Sequence, residues 1–167
     1  MIVTYIITIA VVFLSFLIQG HQSFDALRIA GVKPDLLFII TVYMGYSFGS
    51  FAGEVTGFGS GLLHDSLSNS PLGLLTFPKL IIGFVVGMFG RSVLKSTTPT
   101  IILLVFVASI IKGIITLILA FIFSEAYISS IIHVIIPEAF YNAILSPMLF
   151  FIYDKIYRSE LEREGYL

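Results

Sequence analysis

The chain has 167 residues, 57% of them hydrophobic and 11% charged, with a mean hydropathy of +1.05 and a formal net charge of −1. Soluble domains carry roughly 25% charged residues, and a surface this poor in charge cannot be covered in water, so a soluble enzyme or nucleic-acid binder is excluded. Cysteine is absent, which removes disulfides and thiol catalysis.

The first apolar run, residues 2–18, lacks a basic leader and is followed by Gln19-Gly20-His21-Gln22 instead of a small-residue cleavage site, so it reads as a retained span. Asp35, after Pro34, opens the next helix as its cap. A continuous helix over residues 35–65 would measure about 46 Å against a hydrocarbon core of about 30 Å, so this segment must fold back. Two short tilted helices turning near residues 49–53 make six spans in all; one span plus a re-entrant half-helix is the alternative. Ser70-Pro71 is expected to open a helix to about Gly90, with a kink at Pro78, and Thr98-Pro99 one to about Phe123. Pro137-Glu138 is expected to open the last helix, which leaves His133 in an interfacial turn. The architecture is therefore an all-α integral membrane protein, a single transmembrane domain over residues 1–153 with a charged tail over residues 154–167. The tail reads as a helical extension with solvated faces.

Charges in the connections set the orientation. Arg91, Lys95, Lys155, Arg158 and Arg163 fall on the side of both chain ends, against Arg28 and Lys33 on the other, so both termini are expected in the cytoplasm. Glu125 also sits between apolar runs. Five charges remain inside or beside the spans, where a charge is expensive: Glu54, Asp65, Lys79, Lys112 and Glu138. Glu54 falls at the proposed hairpin and can face water. Asp65 can cap the free amides near Leu72 and Gly73, or contact a ligand. Asp65, Lys79 and Glu138 fall in the outer half of the membrane, either as an internal ion-pair cluster or as a ligand site. Lys112 shares a helical face with Ser109, Gly113 and Thr116, which should look into the bundle unless the lysine snorkels to an interface. Glu138, Asn142 and Ser146 form a second polar stripe suited to interhelical hydrogen bonds.

Gly45, Gly49, Gly53, Gly57 and Gly61 recur every four residues, and Gly83 and Gly87 repeat that spacing. Such stripes let backbones approach closely within a bundle, or mark a broken helix lining a solute site. Catalytic patterns are weak. Ser60-Gly61 lacks the preceding glycine of an intramembrane serine protease, because Phe58 stands there, and His21, His64 and His133 are scattered singly. No metal-ligand or phosphate-loop spacing is present, so no cofactor is expected.

Lys33-Pro34-Asp35-Leu36-Leu37, the glycines of residues 53–61, Gly61-Leu62-Leu63-His64-Asp65, Pro71-Leu72-Gly73 and Glu138-Ala139-Phe140-Tyr141-Asn142 together resemble the bacterial rod shape-determining MreD family. The resemblance covers residues 33–91 and 138–155. It implies a non-enzymatic scaffold in the plasma membrane that binds a bitopic MreC-type partner and, through it, MreB filaments and the RodA glycosyltransferase with its transpeptidase. It also implies a likeness to the six-span substrate-binding components of energy-coupling-factor vitamin transporters, and such a component is the alternative function. Asp35, Asp65, Gly73, Glu138 and Asn142 are the family-typical positions. Gly53, Gly57, Gly61, Lys79 and Lys112 complete the candidate partner- or ligand-binding set, although the two lysines match no family pattern.

Overall fold

The computed structural model describes residues 2–28, 31–68, 70–123, 128–163 and 165. The described residues form helices α1 (Ile2–Gly20), α2 (Leu36–Phe48), α3 (Ser50–Ser68), α4 (Thr76–Val93), α5 (Thr98–Phe123), α6 (Ile128–Ile156) and α7 (Arg158–Arg163), with a 3-10 helix over Gln22–Leu27 and no strand. Glu125 lies outside the described residues. Among the described residues two helices are long and apolar enough on their own to cross a bilayer, α5 and the His133–Ile156 part of α6.

The centre of the bundle is α2. Its sequence is apolar all round, and a helix without a polar face has to be enclosed. Residues 36–47 are all buried, and at about 20 Å the helix is shorter than a bilayer core. It ends at Gly49, whose φ of +88° and ψ of 179° suit only glycine. The chain then reverses at once into α3, as the length of residues 35–65 requires, and Thr41 and Ser60 hydroxyls meet across the hairpin at 2.8 Å.

The glycine stripes bring α4 against this hairpin. A Cβ on Gly45 would lie 2.5 Å from the carbonyl oxygen of Gly83, one on Gly57 2.4 Å from that of Lys79, and one on Gly61 2.4 Å from Thr76 Cα. Gly53 and Gly83 meet backbone to backbone. The three candidate glycines, Gly53, Gly57 and Gly61, are thus turned toward a helix of their own chain. Close approach of this kind gains van der Waals contact where lipid provides no hydrophobic drive.

Several boundaries differ from expectation. Helix α4 starts at Thr76, not at Ser70-Pro71, because residues 71–75 form a turn in which Leu74 donates to Pro71 and Gly73 takes φ +101°. Pro78 consequently lies in the first turn, where its missing donor leaves no gap and makes no kink. The break in α4 is at Gly90 instead, with φ −1° and ψ −167°. Helix α6 starts at Ile128, so Pro137 lies inside it and His133 is helical. Before Pro137, Ile135 packs against Gly113 of α5 so closely that an added Cβ would come within 2.7 Å. Tertiary packing here overrides the local preference of proline.

The tail is not a solvated extension on every face. Tyr157 and Leu161 are fully buried, and the Tyr157 hydroxyl donates to Thr8 Oγ1 at 3.0 Å. Tyr157 joins Phe48, Phe150 and Tyr153 around the ring of Tyr43, with centroids 5.1–5.7 Å from Tyr43 for Phe150, Tyr153 and Tyr157. Beside this aromatic cluster Arg91 pairs with Asp154 and donates to Ser47 at 3.2 Å, while Tyr43 donates to Asp154 at 3.0 Å. These two charges therefore tie the ends of α4 and α6 to α2.

Candidate functional site

At the opposite end of α2 lies a buried ion network built on Asp35. Its position is fixed by local chemistry: as N-cap of α2, its Oδ1 accepts from the amide of Phe38 at 2.9 Å. Because α2 is enclosed, its cap is enclosed too, and Asp35 is 2% exposed. A buried carboxylate needs cations and donors around it. Lys79 of α4 donates to Oδ1 at 2.9 Å and Lys112 of α5 to Oδ2 at 3.0 Å. The Asp35 amide donates to Asn142 Oδ1 at 2.8 Å.

Lys112 also bonds Glu138 Oε1, and Asn142 Nδ2 reaches Glu138 at 3.5 Å and Ser109 at 3.3 Å. Lys79 Nζ sits 2.8 Å from His64 Nδ1, which is in turn 3.4 Å from Asp35 Oδ2. Lys79 is fully buried and Lys112 4% exposed, so Lys112 does not snorkel. It also lies 4.8 Å from the centre of the Phe38 ring, a further favourable contact for a desolvated ammonium. Two ammonium groups and two carboxylates cancel in formal charge and link α2, α4, α5 and α6.

The expected grouping of Asp65, Lys79 and Glu138 is therefore corrected. Lys79 and Glu138 belong to one network through Asp35 and Lys112, but Asp65 does not join it. Asp65 instead collects the free donors at the start of α4: the amides of Gly73 at 2.8 Å, Leu75 at 2.9 Å and Thr76 at 3.3 Å, and the Thr76 hydroxyl at 2.6 Å. This is the capping role, and Gly73 is the glycine that lets the turn close onto it. Replacing Asp65 with alanine is expected to lower stability by about 1–2 kcal/mol, with asparagine retaining part of the loss. Far-UV circular dichroism melts in detergent would check this, and equal melting temperatures for all three proteins would refute it.

Beside the network is a cavity of about 590 Å³. Asp35, His64, Lys112 and Glu138 form its polar wall, together with Gln19 of α1, and Arg28 and Lys33 stand on the connecting loop. Among the described residues no three metal-ligating side chains converge. The arrangement can hold charge and hydrogen-bond donors in a fixed geometry; it contains no activated nucleophile with a base.

Sequence reasoning misses one participant, His64, which reads as a single histidine although it contacts Lys79, Asp35 and Gln19. Asp35 is among the candidate residues, but the sequence does not reveal its pairing with Lys79 and Lys112. The available signal was that a capping acid in front of an all-apolar helix must be buried with that helix.

In comparisons with known proteins, no curated protein and no solved structure matches the chain. The family model of the rod shape-determining protein MreD matches residues 1–160. The described residues form a helical bundle with a buried ion network, and the family match over nearly the whole length places this chain in the MreD family of rod shape-determining membrane proteins.

Proposed function

We propose that this protein is a non-enzymatic scaffold of the lateral cell-wall elongation machinery, which binds an MreC-type bitopic partner and thereby supports rod shape. MreB filaments, the RodA glycosyltransferase and its transpeptidase are engaged indirectly through that partner. The observation that carries this reading is the family match over residues 1–160. The interior supports it: a charge-balanced network and glycine contacts hold the helices in fixed relation, as a scaffold requires. Exposed apolar side chains on α1, α5 and α6, among them Phe13, Leu103, Ile118, Ile144 and Phe151, suit a bilayer and a docked helix.

In this reading α1 to α6 are six spans in the plasma membrane, with α2 completed by its neighbours. Arg91, Lys95, Lys155, Arg158 and Arg163 lie on the cytoplasmic side with both chain ends. The pairing of Arg91 with Asp154 favours this topology, since it puts the ends of α4 and α6 on one side. Asp35, Lys79, Lys112, Glu138 and Asn142 then act by fixing the frame on which the partner docks, and Gly53, Gly57 and Gly61 by holding α4 to the hairpin. Depletion in rod-shaped cells is expected to produce rounded cells and to delocalise the partner, and detergent co-purification to recover it. Unchanged shape and partner localisation on depletion would overturn the reading, whereas co-purification with a transporter ATPase module would favour the alternative function.

A further inference from the structure

Of the five charges inside or beside the spans, Lys79, Lys112 and Glu138 find opposite charges within the chain and Asp65 finds a set of donors. Glu54 is different: among the described residues its carboxylate makes no hydrogen bond and no ion pair. Nor does it sit on the hairpin turn. The turn is at Gly49, and Glu54 is the fifth residue of α3. Its neighbour Gly53 meets Gly83 backbone to backbone, and Gly83 is the eighth of the 18 residues of α4. Glu54 is therefore level with the middle of a helix about 27 Å long. Helical side chains lean toward the N-terminus of their helix, so the carboxylate is carried toward Ser50, into the cytoplasmic half in the topology proposed above.

Residues three and four apart share a helical face, which sets Glu54 with Gly57, Phe58 and Gly61. A Cβ on Gly57 would meet the backbone of Lys79 and Leu80, and one on Gly61 the Cα of Thr76. This face thus borders the seam between α3 and α4. Large apolar side chains flank it on the outside of the bundle: Phe51, Phe58 and Leu62 from α3, and Phe77, Phe84 and Met88 from α4, all 40–67% exposed. A half-buried acid among such residues is costly in a membrane unless something neutralises it.

Lipid tails cannot do so. A second copy docked symmetrically through the same face would set Glu54 against Glu54, two like charges in a poorly screened site. A bitopic helix does fit, because its lysines and arginines concentrate at the cytoplasmic end and their long stems reach inward along the helix. We propose that the α3–α4 face is the docking surface for the transmembrane helix of the bitopic partner, with a lysine or arginine near its cytoplasmic end paired to Glu54. This rests on the scaffold reading and adds to it a surface and a charge.

The test uses the full-length protein co-expressed with its MreC-type partner. Glu54→Gln is expected to lower recovery of the partner in detergent co-purification by about tenfold or more. Glu54→Lys should abolish recovery, and exchanging the basic residue of the partner helix for glutamate should restore it. Melting of isolated Glu54→Gln should match that of the unmodified protein, since the carboxylate has no partner in its own chain. The chain has no cysteine, so Phe58→Cys and Ile144→Cys place single reactive sites on two exposed faces, of α3 and α6. With single cysteines along the partner helix, disulfide cross-links are expected from Phe58→Cys and not from Ile144→Cys. Equal recovery of the partner by Glu54→Gln and the unmodified protein would overturn the docking surface and leave the scaffold reading intact. A lowered melting temperature of Glu54→Gln, cross-links from Ile144→Cys alone, or cross-links from Phe58→Cys only to a second copy of the chain would each overturn it too. Failure of the unmodified protein to recover any partner would sink the scaffold reading and this surface with it.

Discussion

Asp35→Ala is expected to be the most damaging single substitution in the chain, lowering stability by about 3–5 kcal/mol, the range for breaking a buried ion pair by removing one partner. The change strips fully buried Lys79 of its carboxylate and leaves Lys112 with Glu138 alone. It also uncaps α2. Asp35→Asn separates these effects, since an amide oxygen still caps the helix but carries no charge. Adding Lys79→Met to Asp35→Asn should recover part of the loss, because the orphaned ammonium is then removed as well. Far-UV circular dichroism suits the measurement, as the chain has no tryptophan. A double-mutant cycle with a coupling near zero between residues 35 and 79 would show that the network does not hold the bundle together.

Gly83→Ala is expected to rank second and for a different reason. Its Cβ would fall 2.1 Å from the carbonyl oxygen and 2.5 Å from the carbonyl carbon of Gly53. Both atoms are backbone, so relief requires α4 to move off the α2–α3 hairpin instead of a rotamer change. Overpacking typically costs about 1–3 kcal/mol, and this contact should lie at or above the top of that range. Gly59→Ala is the matched control: it is also in α3, but nothing lies within 4 Å of the added methyl. It should be neutral or stabilise by up to about 1 kcal/mol through helix propensity. Indistinguishable melting of the two variants would remove the close-approach argument.

The residues that revealed most in the sequence were those whose chemistry is local. Asp35 after Pro34, the glycines at intervals of four, the length of residues 35–65 and the Ser109, Lys112 and Thr116 face each follow from one helix and its surroundings. Local reasoning applied to proline holds at Pro34 and Pro99 but not at Pro71, Pro78 and Pro137. Along the sequence each of these three predicts a helix start or a kink, yet α4 begins where Asp65 gathers its donors and α6 runs through Pro137. Partner choice among the charges was also hidden. Asp65, Lys79 and Glu138 look equivalent along the chain, and only the packing of α2 among α4, α5 and α6 sends Lys79 and Lys112 to Asp35. The membrane class was plain from composition, whereas the use of Arg91, Asp154 and Tyr157 to fasten the other end depends on contacts between residues far apart in sequence.

The enclosure of α2 bears on how the chain is assembled. Residues 36–48 are synthesised early, but the groups that neutralise and hydrogen-bond the head of that helix arrive in succession, Lys79 first, then Lys112, and last Glu138 and Asn142. Until α6 has emerged, the central element lacks part of its wall and part of its polar shell. The core of this protein therefore cannot be completed from the N-terminus onward one span at a time; its first-made buried helix is among the last to be seated.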